Sequence, residues 1–462
     1  MLQTSMSYEG FHESSHPPTQ LFYRFQFPLT KQQRKALFKL WQFVHSDECF
    51  FLVKGYAGTG KSTIIFALLA ELQRLGSQIV LCAPTNKAVN ILSAIAVSNN
   101  VFIPTMTIHQ LLGLGVRNLN GEKVLTQTGP SSLHLYNLVI LDECSMVNRE
   151  LWKYIQAAFE QSFCLKKRQL IAMGDPAQLN PIGELSSPSF SISNRVCLNE
   201  VVRQGQSPLL DFITGWRTAL SNKELLVPTS MYDPLNKQGA FKVGRDRIIS
   251  YGIRKIERYF DKDPDRFRIL CYSNIQVGNY NRRIRQAIYG SHSNQFIPGE
   301  RLITKSPVVA PDGKTILLPT STEFTVTGTT PTQYYGYQAW ALTIACEGGT
   351  KQIYTLDKNE ENRFQKTLQS LLEKAKANPY FWRKYYQFKE DIFAQVTNCY
   401  ALTVHNSQGS TFTEGAVDGD DIHKRLYVGE ESRKFKEKEF LRLWYVASSR
   451  FRKRLLFCRK SA

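Results

Sequence analysis

The sequence lacks the usual features of secreted, metal-clustered and membrane-spanning proteins. Its nine cysteines form no C-x-x-C pair and no Cys/His group with zinc spacing, so neither a zinc finger nor a four-cysteine iron–sulfur site is expected. No run of about 18 apolar residues occurs, which argues against a membrane span. Residues 1–27 carry charges of both signs and no apolar core of signal-peptide length. These absences favour a soluble, cytoplasmic protein with reduced thiols.

Acidic residues are scarce relative to basic ones. The 462 residues include 58 lysines and arginines against 39 aspartates and glutamates, a net charge of +19 at pH 7. This basic excess suits a nucleic-acid partner, although scattered surface lysines could also produce it. The chain is too long for one compact core, which predicts two to four domains.

Continuous apolar runs alternate with helical patterns in the first half of the chain. Runs at residues 49–55, 78–84, 138–143 and 169–175 predict buried strands, and residues 62–75 have helical apolar spacing. Buried strands separated by helices are typical of a parallel sheet covered on both faces. The second half has a further set of such runs, at 268–274, 399–405 and 454–459. The sequence therefore predicts an α/β fold with two such domains.

Two segments interrupt these domains. Residues 296–395 begin with strand-like pieces and turn helical from about 360 to 393. The aromatic residues of the helical part lie among cations and could stack nucleobases, although at helical spacing they more often pack a core: Tyr380, Phe381, Trp382, Tyr385, Tyr386 and Phe388. In residues 116–125, Asn120-Gly121 between two short arms predicts a β-hairpin with a type I′ turn.

The segment from Gly55 to Ser62 matches the phosphate-binding pattern G-x-x-x-x-G-K-[ST]. It follows an apolar strand and opens a helix, so its N–H groups and the helix dipole can hold phosphates. Lys61 is expected to reach the β and γ phosphates of ATP, and Ser62 to bind Mg²⁺. The residues expected to contact the nucleotide here are Gly55, Ala57, Gly58, Thr59, Gly60, Lys61, Ser62 and Thr63.

Two adjacent carboxylates, Asp142 and Glu143, end the third of these apolar strands. In a parallel sheet this places them at the same edge as the phosphate loop. Asp142 is expected to hold Mg²⁺, and Glu143 to orient and deprotonate the attacking water. A lone Asp-Glu pair would more often be a helix N-terminus, but the neighbouring phosphate loop favours the catalytic interpretation.

Five segments in this order resemble the motifs of superfamily 1 helicases. They are Gly55–Thr63, 142–146, 174–181, 403–411 and 445–450. Over residues 28–462 the chain most resembles the RecD/Dda branch (superfamily 1B), whose members move 5′ to 3′. The resemblance implies an ATP-dependent DNA helicase with single-stranded and duplex DNA as partners, acting as a monomer, alongside other replication or repair proteins.

The resemblance also implies roles for single residues. Gln33 would read the adenine edge, with Gln32 as the alternative, and Gly409 would contact the nucleotide. Gln178 would sense the γ-phosphate. Arg203 and Arg450 would be arginine fingers, although either could be a surface cation.

The nucleic-acid track has weaker markers. By resemblance, the first domain would contact the strand through Pro84, Thr85, Asn86, Thr107 and His109, and the second through Thr403, His405 and Ser407. Either histidine could instead be a structural residue. Many relatives have lysine where this chain has Asn406, which puts one phosphate contact in doubt.

The resemblance implies two RecA-like domains with two insertions. Residues 1–27 would be an N-terminal extension, and residues 28–196 the first domain, with a pin hairpin at about 113–135. The second domain would comprise 197–295 and 396–462, interrupted by an SH3-like subdomain at 296–395. Three alternatives stay open at this point: an RNA helicase, a translocase that does not separate strands, and a non-hydrolysing switch.

Overall fold

The computed structural model describes two parallel-sheet α/β domains and an antiparallel insertion, which confirms the predicted α/β class. It covers residues 17–18, 21, 25, 28–119, 122–160, 168–202, 207–260, 262–291, 294–310, 315–346 and 349–459. Within these residues, no helix has the length and apolar character needed to cross a membrane.

Domain 1 begins with a capped helix, because Thr30 and Gln33 form a reciprocal capping box. Its elements, in chain order, are α1 (Lys31–Val44), β1 (Phe50–Gly55), α2 (Lys61–Arg74), β2 (Ile79–Ala83), α3 (Asn86–Ser98), β3 (Thr105–Thr107), α4 (Ile108–Leu112), β4 (Leu114–Leu119), β5 (Glu122–Gln127), β6 (Leu138–Leu141), α5 (Arg149–Glu160), β7 (Gln169–Gly174) and β8 (Arg195–Leu198). Strands β4 and β5 pair as the predicted antiparallel hairpin, whose Asn120-Gly121 turn lies outside the described residues.

The domain 1 sheet has the order β3-β2-β6-β7-β1-β8, with every pair parallel. All residues of β2, β6 and β7 are buried, as continuous apolar strands covered on both faces require. The boundary expected at residue 196 falls inside β8. Because β8 pairs with β1, the first domain extends at least to Leu198.

The rest of the chain forms domain 2 and its insertion. Domain 2 begins with α6 (Pro208–Asn222), β9 (Met231–Asp233), β10 (Gln238–Lys242), α7 (Arg245–Tyr259), β11 (Phe267–Cys271) and α8 (Asn274–Tyr289). The insertion contains β12 (Arg301–Thr304), β13 (Val308–Val309), β14 (Ile316–Leu318), β15 (Glu323–Tyr334), β16 (Tyr337–Cys346), β17 (Gly349–Leu356), α9 (Glu361–Ala377), α10 (Trp382–Tyr386) and β18 (Val396–Asn398). Domain 2 then resumes with β19 (Ala401–Thr403), β20 (Phe412–Asp418), α11 (Gly419–His423), α12 (Arg433–Ser449) and β21 (Phe451–Cys458).

The domain 2 sheet has the order β19-β11-β20-β21-β10-β9, with only β9 antiparallel. Helices α6 and α12 pack together through Trp216 and Trp444, whose rings stack with centroids 4.9 Å apart. Both tryptophans are fully buried. This contact fixes α12, which ends beside the cleft between the domains.

The insertion is a five-stranded antiparallel sheet, β17-β16-β15-β12-β18, with the helical segment packed against it. Its aromatic residues mainly form a core, with Tyr385 buried and Phe388 stacked on Phe364, whereas Tyr380 is 86% exposed. The boundary expected at residue 396 is also displaced. Strand β18 pairs with β12, so the insertion extends to Asn398.

A partly buried ion-pair group around the fully buried Arg268 joins the insertion to domain 2. Arg268 lies on β11 of domain 2, and its guanidinium donates a 2.8 Å hydrogen bond to a Glu323 carboxylate oxygen of the insertion. Arg301 of the insertion donates to the same oxygen at 2.9 Å. These two cations lower the pKa of Glu323 to about 2, against the effect of burial. The insertion is therefore held by charge pairing as well as by its two chain connections.

Candidate active site

The phosphate loop lies between β1 and α2 and depends on its glycines. Gly58 and Gly60 have φ values of +81° and +83°, in the region that side-chain-bearing residues rarely adopt. A Cβ atom at Gly60 would lie 2.6 Å from the Gln33 Nε2 atom. The Lys61 ammonium donates to the carbonyls of Gly55 and Tyr56 at 2.8 and 3.0 Å, so it is held against the loop.

Asp142 and Glu143 follow β6 at the same sheet edge. Glu143 has a left-handed backbone (φ +51°), and its N–H donates to the Asp142 carboxylate at 2.8 Å. Burial and the charge of Asp142 raise the pKa of Glu143 to about 7, while Arg450 and Lys61 oppose that rise. Burial likewise raises the pKa of Asp142. A carboxyl group with a pKa near neutrality is well suited to accept a proton from water.

The loop after β7 carries Asp175 and Gln178, which are both buried. Asp175 accepts hydrogen bonds from the Ala57 and Ala177 N–H groups, each at 2.9 Å. The Gln178 Oε1 atom has no hydrogen-bond partner among the described residues, so it is available to a ligand or to water. The side chain proposed as the γ-phosphate sensor therefore has a free acceptor and belongs to a loop that contacts the phosphate loop through Asp175.

Domain 2 contributes Arg450, at the end of α12. Its guanidinium donates to Val446 O at 3.2 Å, Ser449 Oγ at 3.0 Å and Ser410 O at 3.4 Å. Its charge opposes the rise in the pKa of Glu143, so the guanidinium lies within electrostatic reach of that carboxylate. The other predicted finger, Arg203, lies outside the described residues.

A cavity of about 480 Å³ separates the phosphate loop from domain 2. The residues that line it come from both domains: Ala57, Gly58, Val201, Leu210, Ile213, Thr214, Arg217, Gln238, Thr411, Tyr445, Ser449, Phe451, Arg452 and Lys453. The Arg217 guanidinium of domain 2 lies 4.4 Å from the ring centroid of Tyr56, a phosphate-loop residue. The site is thus composite, because neither domain encloses it alone.

The two glutamines considered for adenine occupy different places. Gln33 is buried, donates to Thr59 O at 3.1 Å and accepts from the Thr30 N–H. Gln32 instead accepts from the N–H groups of Asn199 and Glu200. Gln33 therefore lies at the phosphate loop and Gln32 at the end of β8, and the adenine role of Gln33 stays a prediction.

The segments predicted to touch nucleic acid meet across the cleft. The Lys87 ammonium of α3 donates to the Asn406 carbonyl at 2.9 Å, and a Cβ atom at Gly409 would lie 3.4 Å from Ile91 of α3. Lys87 follows directly after Pro84, Thr85 and Asn86, and Asn406 lies between His405 and Ser407. The structure therefore brings the two predicted strand-binding segments together, and places Gly409 against α3.

Several hydroxyls of these segments serve the local backbone. Those of Thr85 and Thr107 cap α3 and α4, the Thr403 hydroxyl accepts from the Asn406 N–H at 3.1 Å, and the fully buried Ser407 donates to Val404 O at 2.7 Å. Ser407 therefore turns its hydroxyl away from solvent.

The two histidines of these segments are partly buried. Burial lowers the pKa of both His109 and His405, which keeps them neutral at pH 7. They could donate hydrogen bonds to a strand without adding charge.

Sequence reasoning gave no individual role to two residues that the structure places at the cleft, Asp175 and Tyr445. Asp175 follows β7, the neighbour of β1 in the sheet, so its position at the carboxyl end of a parallel strand was an available signal. The Tyr445 hydroxyl donates to Asp175 at 2.7 Å across the cleft. These side chains join the two halves of the site.

The fold and the site define a P-loop nucleotide-binding protein whose active site is completed by a second α/β domain. Residues 28–223 match the AAA domain family. The chain is 24% identical over 444 residues to the ATP-dependent DNA helicase dda of Enterobacteria phage T4, covering 87% of this chain and 96% of that protein. These matches confirm the resemblance to RecD/Dda-like superfamily 1 helicases that the ordered motifs predicted.

Two further similarities accompany these matches. An uncharacterised protein of Acanthamoeba polyphaga mimivirus is 24% identical over 475 residues, covering 85% of this chain and 94% of that protein. Among solved structures, a Bacteroides Pif1 helicase bound to single-stranded DNA is similar with a TM-score of 0.48 and 17% identity, covering 93% of this chain and 92% of that one.

Proposed function

We propose that this chain is an ATP-dependent DNA helicase that translocates along single-stranded DNA and unwinds duplexes. The observation that carries the proposal is the composite site. Domain 1 supplies the phosphate loop and Glu143, domain 2 supplies Arg450, and the predicted strand-binding segments meet at the same cleft through Lys87 and Asn406. Opening and closing the cleft would therefore change the ATP site and the strand grip together.

The hydrolysis step assigns one task to each side chain. The phosphate-loop N–H groups and Lys61 bind the phosphates, and Glu143 takes a proton from the water whose oxygen attacks the γ-phosphorus. The bond from that phosphorus to the bridging oxygen of ADP breaks as the new bond forms. Arg450 stabilises the charge on the transferring group, and Gln178 orients the water or the phosphate.

The residues present fit a Mg²⁺ ion, which would neutralise phosphate charge when bound with ATP. Two adjacent, partly buried carboxylates have raised pKa values, chiefly because burial disfavours their charged forms, and a divalent cation would stabilise those forms. Ser62 lies in the first turn of α2, and its hydroxyl and the Asp142 carboxylate are the hard oxygen donors that this ion prefers. We assign these two residues to the ion.

Strand separation is supported by the hairpin of β4 and β5, which is inserted in domain 1 between α4 and β6. Helix α10 of the insertion contacts β4, so the hairpin is braced from the other domain's insertion. A wedge at a duplex junction must resist bending when the motor pulls on one strand. This support favours a helicase over a translocase that leaves duplexes intact.

Direction is proposed as 5′ to 3′ from the motif resemblance. Duplexes with either a 5′ or a 3′ single-stranded DNA tail, and their RNA counterparts, test it with the wild-type protein and with Lys61→Ala. We expect ATP-dependent unwinding from the 5′ DNA tail alone, and none by the variant, whose hydrolysis should be lost. Unwinding only from a 3′ tail would reverse the direction, and ATP turnover that DNA does not alter would contradict the motor itself.

A further inference from the structure

Helix α12 contacts domain 1 at two places before it reaches Arg450. The Arg442 guanidinium donates to Pro176 O at 3.3 Å and to Leu185 O at 3.5 Å. About one turn later, the Tyr445 hydroxyl donates to the Asp175 carboxylate at 2.7 Å. The helix that carries Arg450 is therefore aligned on the domain 1 loop that contains Gln178.

The contact at Asp175 includes the phosphate loop itself. The Ala57 N–H donates to the same Asp175 oxygen at 2.9 Å and lies 3.3 Å from the Tyr445 hydroxyl oxygen. Asp175 and Tyr445 are each 1% exposed, so water does not replace these donors in the closed cleft. A loop amide, a buried carboxylate of domain 1 and a hydroxyl of domain 2 thus share one hydrogen-bonded group.

We propose that Tyr445 is a positioning residue through which the phosphate loop controls the placement of Arg450. The proposal rests on the ATP-driven function proposed above. When the cleft opens, Asp175 exchanges the Tyr445 hydroxyl for water, and α12 loses its alignment on domain 1. Ala57 belongs to the phosphate loop and donates to the same Asp175 oxygen as Tyr445. A loop conformation set by bound phosphates therefore strengthens or weakens the hydrogen bond between Tyr445 and Asp175. A ligand can shift the domains only through such a difference in interaction between the two states.

The test removes the hydroxyl alone, with Tyr445→Phe. The chain offers a closely matched control, since Tyr280 is also buried and donates to the Asp418 carboxylate at 3.0 Å, but both residues lie within domain 2. We expect Tyr445→Phe to lower kcat for ATP hydrolysis about tenfold while KM for ATP changes less than about twofold, consistent with the loss of one charge-assisted hydrogen bond. Tyr280→Phe should keep kcat within about twofold of wild type, even if its thermal stability falls as far as that of Tyr445→Phe.

A double-mutant cycle with Asp175→Asn separates coupling from general damage. If both side chains act through one bond, the double variant should be no slower than the slower single variant. Hydrogen exchange at Ala57 gives a readout that does not depend on turnover, and it should be faster in Tyr445→Phe than in wild type or Tyr280→Phe. Three results would each overturn the role of Tyr445. They are a wild-type kcat in Tyr445→Phe, a loss of kcat in the double variant equal to the product of the two single losses, and unchanged hydrogen exchange at Ala57.

Measurements with and without single-stranded DNA keep the two proposals apart. A wild-type protein that DNA does not stimulate would contradict the motor, whereas the kcat difference between the two tyrosine variants would still report on Tyr445. Conversely, DNA could strongly stimulate ATP hydrolysis by wild type, Tyr445→Phe and Tyr280→Phe, with the same kcat in all three. That result would support the proposed motor function and refute the positioning role of Tyr445.

Discussion

The pH dependence of ATP hydrolysis follows from the surroundings of Glu143. Burial and the neighbouring Asp142 raise its pKa to about 7. A general base works only when ionised, so about a tenth of the molecules are active at pH 6 and about nine-tenths at pH 8. Between these values kcat/KM for ATP, which reports groups of the free enzyme, should rise about tenfold.

Arg450 lets this assignment be tested by a shift in a known direction. Its positive charge lowers the pKa of Glu143, so Arg450→Ala should move the midpoint of the residual activity to higher pH, in addition to slowing hydrolysis. Arg433→Ala is the control, because this arginine lies at the other end of α12, is largely exposed and pairs with Glu437. Its midpoint should stay at the wild-type value.

The assay is kcat/KM for ATP from pH 5.5 to 9 at constant ionic strength and saturating Mg²⁺ and DNA. In Glu143→Gln, ATP should still bind, but hydrolysis should be nearly absent and the tenfold rise should disappear. A flat wild-type profile, an unshifted or lowered midpoint in Arg450→Ala, or a preserved rise in Glu143→Gln would refute the reasoning.

Three further outcomes are expected. Replacing residues 117–124 with a short Gly-Ser link should spare DNA-stimulated ATP hydrolysis but sharply reduce unwinding, and a normal unwinding rate would remove the hairpin from the mechanism. Gly60→Ala should raise KM for ATP at least about tenfold through backbone strain and a steric clash, whereas Gly76→Ala, which has a similar positive φ and open space around it, should leave KM unchanged. Trp444→Ala, which removes the ring stacked on Trp216, should lower the free energy of unfolding by about 3–5 kcal/mol in denaturant titrations, and a smaller loss would mean that α6 repacks.

Much of the site could be predicted because its residues are close together in sequence. The phosphate loop occupies one strand–turn–helix segment, and Asp142 and Glu143 directly follow an apolar strand. In a parallel sheet the carboxyl ends of the strands share one edge, so these two segments had to approach each other. The positions of the predicted strands and of the hairpin followed from the same local patterns, with ends displaced by only a few residues.

The domain boundaries were less predictable, since strand pairing decides them. Strand β8 is four residues long and alternates exposed with buried positions, so no apolar run marked it. It belongs to domain 1 only because it pairs with β1, and β18 belongs to the insertion only because it pairs with β12. Pairing partners of this kind are set by the assembled sheet and not by the short strand itself.

The sequence by itself therefore determined the α/β class, the phosphate loop and the position of the paired carboxylates Asp142 and Glu143 after a strand, because each depends on contiguous residues with a local period or spacing. Only the tertiary structure decided that Tyr445 meets Asp175, which is 270 positions away in the chain, and that Lys87 meets the Asn406 carbonyl across the cleft. Such contacts depend on how two domains dock, and docking is governed by the summed complementarity of distant surfaces, which no local pattern of residues records.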